Sequence, residues 1–202
     1  MAHEGLWEQL AKLDGQETAQ RAQCQYLEEA DSYIVTMVNR AYVVCLSDMR
    51  IFSGRPDSQQ EPASFLEQLC LLAYLINARD LPLSNTLVNA QSLPGGQFFF
   101  RGPHTLPTEK LKDAFGDCPE ALNRASEPFA ARRCEFGDAS ITLDILPRVP
   151  LTIVIWRRCE EFDARASILF DKSVAIQLPL DALMAAVNLT VGALLRHSTG
   201  NN

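Results

Sequence analysis

LPRVPLTIVIWRRCEEFDARASILFDKSVAIQL, residues Leu146–Leu178, is the stretch that decides the fold. Leu151–Trp156 is a continuous apolar run of the kind that forms a central strand. Ser167–Phe170 and Val174–Leu178 are two further strand-like runs, separated by the turn residues Asp171-Lys172-Ser173. Between the first two runs lies a dense polar insert, Arg157 to Arg165. Upstream, Ser140–Leu146 alternates, with Ile141, Leu143 and Ile145 on one face and Thr142 and Asp144 on the other, which predicts a half-buried strand. Pro147 and Pro150 punctuate the connection.

Working outward, Tyr33–Val38 and Ala41–Leu46 are β-rich and joined by Asn39-Arg40, which predicts a tight hairpin. Arg50–Phe52 extends it as a third strand, and Arg55–Pro62 reads as a polar loop. Helical spacing predicts a helix from Leu6 to about Glu29, broken near Asp14-Gly15. A second runs from Pro62 to Asn77 and is apolar on more than one side, so it packs between layers. Short helices follow at Pro107–Phe115 and from Pro119 to about Ala131, the latter kinked or ended by Pro128. A final helix opened by Pro179 or Leu180 runs to Arg196 on a stripe of Ala182, Leu183, Ala186, Val187, Val191 and Leu194-Leu195. Hairpin-length connections outnumber crossovers. The expected fold is α+β, a mainly antiparallel sheet with helices packed on one face and a C-terminal helix. It forms a single domain over residues 1–202, an N-terminal helical segment (1–30) ahead of a core (33–196).

The net charge is −7 and the pI about 5.0, a balance that argues against a nucleic-acid partner, which needs a basic face. Most of the 18 basic residues are arginine. MAHEGLWEQLAKLD has neither the basic nor the apolar region of a signal peptide. No apolar run reaches the ~18 residues of a membrane span. A cytoplasmic protein with no membrane partner is expected. Its six cysteines (24, 45, 70, 118, 134 and 159) include no CxxC pair, so they read as small buried hydrophobes or inert thiols rather than ligands.

Several features define a family pattern. They are LPRVPL at 146–151, Trp156 closing a strand, Glu161-Phe162, LFD at 169–171 and the Leu178-Pro179 before a helix. Leu93-Pro94-Gly95-Gly96 and Gly137-Asp138 precede them in order. From about Tyr33 to Leu195 the chain resembles DUF3786, an uncharacterised family of prokaryotic proteins. Some members look fused to a small Fe–S domain like that of corrinoid iron–sulfur proteins. The clustered cysteines of such a domain are missing here, so no cofactor carries over. The resemblance implies a setting in anaerobic redox or one-carbon, corrinoid-linked metabolism.

No GxSxG elbow, HExxH or P-loop is present, and no metal-ligand spacing. The first functional expectation is a non-catalytic module that binds a small anionic ligand or a protein partner. Arg148, held between two prolines, Trp156 at a strand end and Arg157 would line its site. Against this, Arg148 pairs with Asp144 or Asp138. The second expectation is an enzyme drawing acid–base groups from His104, Glu160, Glu161, Asp163 and Asp171, two of which must face one cleft. The opposing view makes the polar insert a solvated hairpin loop, with Phe162 folded back as an anchor. His3 and His197 sit in termini expected to fray. The third is an obligate homodimer, a structural or interaction protein joined through the apolar final helix or Phe98–Phe100. Gly95-Gly96 reads as a tight turn feeding a strand. The echo of Arg132-Arg133-Cys134 in Arg157-Arg158-Cys159 would, if the two met, form a basic patch that activates the thiols.

Overall fold

The N-terminal helical stretch breaks where Asp14 can serve as a cap. The computed structural model, which describes residues 3–199, has α1 (Glu4–Leu10) followed by α2 (Gly15–Ala22), with the Asp14 carboxylate accepting from the Glu17 amide at 2.8 Å. The predicted continuation to Glu29 does not form. Gln23 adopts a left-handed conformation, φ 50°, and ends the helix. The chain then enters β1 (Gln25–Leu27), which pairs antiparallel with β2 (Ser32–Met37). Tyr26 supplies the local reason: its ring packs 4.9 Å from Tyr33 and its hydroxyl donates to Asp31 at 2.7 Å.

β3 (Arg40–Cys45), β4 (Arg50–Ser53) and β5 (Glu61–Pro62) complete an antiparallel sheet in the order β1-β2-β3-β4-β5. The hairpin turn is Val38-Asn39, one residue earlier than the sequence suggests. Both residues have positive φ, 48° and 58°, as a two-residue turn of matching twist requires.

α3 (Phe65–Asn77) opens with a reciprocal capping box between Ser64 and Glu67. Cys70 to Leu75 are all buried, so the middle of this helix is enclosed as its all-round apolarity predicts, whereas Phe65 and Leu66 in its first turn are exposed.

The strands of the last third form a second, separate sheet rather than an extension of the first. Its order is β6-β10-β9-β8-β7, all antiparallel. The strands are β6 (Leu87–Asn89), β7 (Arg132–Cys134), β8 (Ala139–Leu146), β9 (Val149–Trp156) and β10 (Arg165–Asp171). β9 is central, and Pro150 lies inside it opposite Asp144, next to a register shift in β8. α5 (Thr108–Phe115), α6 (Glu120–Ser126) and the C-terminal α8 (Leu180–Thr199) pack against strands of this sheet. Leu183, Ala186, Val187, Val191 and Leu194 of α8 are at most 1 % exposed. The apolar face of the final helix, one of the candidate dimer interfaces, is therefore part of the protein's own core.

Two predicted strands are single helical turns. Phe98–Phe100 falls in and just after α4 (Gly96–Phe99), and Val174–Leu178 holds α7 (Val174–Gln177). The first follows from glycine chemistry. Gly95 has φ 77°, and a Cβ on Gly96 would lie 2.0 Å from the Ala90 carbonyl oxygen, so this tight chain reversal excludes a side chain. The second follows from topology: β10 already has β9 on one edge and β6 on the other, which leaves no partner for another strand.

One continuous hydrophobic core joins both sheets. No helix among the described residues is long and apolar enough to cross a membrane. The architecture is α+β with a C-terminal helix.

Candidate functional site: a cleft at the sheet junction

The β2–β3 turn is where the two sheets touch. The Val38 amide donates to the Ile145 carbonyl at 2.8 Å, and the Asn39 side-chain amide donates to the Pro128 carbonyl at 2.8 Å. These bonds hold Val38, a β-branched residue, at φ 48°, a conformation such residues avoid.

Beside that strained turn opens a cleft of about 270 Å³. Met37 and Val38 line it, with Phe129, Leu189 and Ala193 as further apolar wall. Its polar lining is Arg40 and Tyr42 from β3, Glu67 from α3, and Arg196 and His197 from the last turn of α8. Arg40 and Tyr42 are two positions apart on a strand and so share a face. The Tyr42 hydroxyl donates to Glu67 Oε1 at 2.5 Å, and the Ser64 amide donates to Oε2 at 2.7 Å. Burial alone would raise the Glu67 pKa. Hydrogen bonds from Ser64 and Tyr42, with the Arg40 charge, outweigh it and hold the carboxyl below its ordinary value. Burial and the bond to Glu67 push the Tyr42 hydroxyl well above its ordinary range. The pair is thus a neutral phenol donating to a fixed carboxylate. Arg40 also meets Glu61 at 3.1 Å, and the His197 ring sits edge-on to Phe129 at 5.2 Å. A second hollow, about 220 Å³ and lined by Thr36, Asn39 and Asp144, shares the Phe129 wall.

The residues singled out from the sequence lie elsewhere. Arg148 is 8 % exposed. Its Nε donates to the Arg21 carbonyl at 2.7 Å, its Nη1 to the Leu81 carbonyl at 3.0 Å and its Nη2 to Asp80. Neither Asp144 nor Asp138 is its partner: Asp144 pairs with Arg132 at 3.0 and 3.2 Å, and Asp138 accepts from the Arg157 amide at 2.7 Å. Trp156 is half-buried, with the Arg165 guanidinium 4.0 Å from its ring centroid. The Arg157 side chain pairs with Glu120. β9 separates Arg148 from Trp156 and Arg157 by roughly 25 Å, at about 3.3 Å per residue. The three cannot line one small site.

The acid–base candidates do not converge either. Glu160 and Glu161 are exposed, and the Asp163 side chain is 94 % exposed with Arg158 at 3.8 Å. Asp171 lies at the far end of β10, buried and occupied by Ser84 and Ser173. His104 is exposed and stacks on Phe99 at 4.6 Å. Phe162 is 70 % exposed, so it does not anchor the loop. The two Arg-Arg-Cys segments make separate contacts, Arg132 with Asp144 and Arg157 with Glu120. Neither terminal histidine dangles: His3 packs 4.1 Å from Phe65, and His197 lines the cleft. No group of three His, Cys, Asp or Glu side chains among the described residues could hold a metal ion.

All six cysteines are free. Burial pushes the thiols of Cys24 and Cys70 up to about 12, whereas Cys118 and Cys159 are exposed. In a thiol titration at pH 8 we expect Cys118 and Cys159 to react first and Cys70 only on unfolding. Peptide mapping of the labelled protein identifies the order, and early labelling of Cys70 would contradict the packing.

The cleft could have been found only in fragments. The Arg40-x-Tyr42 alternation and the Ser64-x-x-Glu67 box are visible in the sequence, but their meeting with Arg196 and His197 is not. No curated protein and no solved structure matches the chain. A family model described as a domain of unknown function, DUF3786, does match, over residues 14–193. That span takes in both sheets and most of the cleft's lining, and the chain belongs to the DUF3786 family.

Proposed function

We propose that the protein is a non-catalytic binding module whose ligand is a small organic anion, seated in the cleft at the sheet junction. The observation that carries this is the meeting of Arg40, Arg196 and His197 over an apolar wall in about 270 Å³. Arginine suits carboxylate recognition because its planar fork offers paired donors. The volume falls just below the ~300–1,000 Å³ usual for ligand pockets, so it fits a metabolite rather than a corrin macrocycle. In the anaerobic redox or one-carbon setting implied by the family resemblance, the ligand is then a small acid and not the corrinoid itself. Six free thiols support a reducing, cytoplasmic location.

Isothermal titration of the full chain with leucine, isocaproate, hydrocinnamate and inorganic phosphate, all of which carry an anionic group, tests this reading. We expect at least one carboxylate to bind. Arg196→Ala is expected to weaken it about tenfold or more, the loss of a charge-assisted hydrogen bond of roughly 1.5–3 kcal/mol. No heat with any probe, or equal affinity in the variant, would overturn it.

A further inference from the structure

We propose that the cleft selects a zwitterion, an α-amino acid with an apolar side chain, whose ammonium meets Glu67 and whose carboxylate meets Arg40 and Arg196. This rests on the reading that the cleft is a ligand site, and it adds the ligand's chemical class.

Glu67 is the reason. A site built only for an anion is lined by cations and neutral donors, since a carboxylate in the wall repels the ligand. Here a carboxylate lines the same cleft as the arginines. It is held in one orientation from two sides, Oε1 by the Tyr42 hydroxyl at 2.5 Å and Oε2 by the Ser64 amide at 2.7 Å. Each oxygen keeps a further lone pair for an incoming N–H. The Tyr42 hydroxyl donates to Glu67 and, being neutral, leaves the charge of the carboxylate uncancelled. The lining therefore carries both signs, from β3 and α8 on the positive side and from α3 on the negative. A ligand with both charges on a short backbone satisfies both, and one lacking the ammonium meets uncompensated repulsion. Specificity then comes from attraction and exclusion together. The apolar wall of Met37, Phe129, Leu189 and Ala193 takes the side chain, and the volume of about 270 Å³ limits its size.

The test is calorimetric titration of the full chain with leucine, with isocaproate, which lacks the ammonium, and with isoamylamine, which lacks the carboxylate. Leucine is expected to bind at least tenfold more tightly than either. Glu67→Gln keeps the helix cap, because glutamine also completes a capping box. It is expected to remove most of leucine's advantage over isocaproate. Isocaproate binding as well as leucine would overturn the zwitterion assignment and leave the anion reading standing. An unchanged preference in the Glu67→Gln variant would overturn the role of Glu67. Absence of binding by all three would overturn both readings. The wild-type comparison decides the ligand class even if the variant fails to fold.

Discussion

Replacing Arg148 with alanine is expected to destabilise the fold by about 3 kcal/mol, which in a chain of this size lowers Tm by roughly 6–12 °C. The guanidinium ties the β8–β9 turn to the end of α2 and to the loop after α3. It donates to the Arg21 carbonyl at the end of α2, to the Leu81 carbonyl, and to Asp80 in the loop after α3. Arg21 in turn donates to the carbonyls of Ile76 and Ala78, at 3.2 and 2.6 Å, which satisfies the otherwise unpaired C-terminus of α3. Tyr74 adds a bond to the Ala22 carbonyl at 2.9 Å. Alanine at 148 leaves the Arg21 and Leu81 carbonyls without this donor beside a buried space. Asp80 is a different case. Its side chain is 64 % exposed, so Asp80→Asn should change stability by less than about 1 kcal/mol. Arg148→Lys keeps the charge but loses the fork and should recover only part of the deficit. Urea unfolding of the three variants separates these outcomes. A loss below about 1 kcal/mol in Arg148→Ala would show that water can replace the guanidinium. None of the three should weaken ligand binding, because Arg148 lies outside the cleft.

Asp171→Ala is expected to cost about 3 kcal/mol, since it strands several donors at once. Its Oδ1 accepts from the amide and hydroxyl of Ser84, at 3.0 and 2.8 Å, and from the amide and hydroxyl of Ser173, at 2.9 and 2.5 Å. That knot fastens the loop after α3 to the turn that ends β10. Burial alone would raise the carboxyl's pKa, but the hydrogen bonds from Ser173 and Ser84 outweigh it and hold it at about 2, against 3.8 unperturbed. Folding thus favours the ionised form. The resulting stability, about 2 kcal/mol, is fully present above the unfolded value and disappears as pH falls from about 5 toward 2. Asp171→Asn should flatten that acid limb. Unfolding free energies measured from pH 6 down to pH 2 for both proteins check this, and parallel curves would refute it.

The sequence was most legible where one local pattern had no competitor. β8 followed from alternation, because a period of two fits nothing but a strand, and β9 from a short continuous apolar run bounded by Pro150 and the polar insert. The buried α3 followed from apolar residues on every side, with its cap at Ser64. The sequence was misleading where short apolar runs depended on what lay beside them. Val174–Leu178 has strand composition, yet both edges of β10 are taken. Gln25–Leu27 continues a helical pattern, yet Tyr26 finds Tyr33 and the edge of β2. The same limit governed the site. Arg148 is distinctive in sequence because two prolines flank it, but stiff backbone says nothing about whether the side chain points at solvent or at carbonyls.

By itself the sequence determined the α+β class, the antiparallel pairing of neighbouring strands, the terminal helix and the family. Those properties depend on periodicity and on turn residues within a few positions of each other. Only the tertiary structure decided that the strands form two sheets, that Arg148 and Asp171 are internal fasteners, and that Arg40, Tyr42, Glu67, Arg196 and His197 share a cleft. The reason is that a charged side chain's role is set by which partners reach it. Those partners come from segments as far apart as β3 and the last turn of α8, which only the packing of the core brings together.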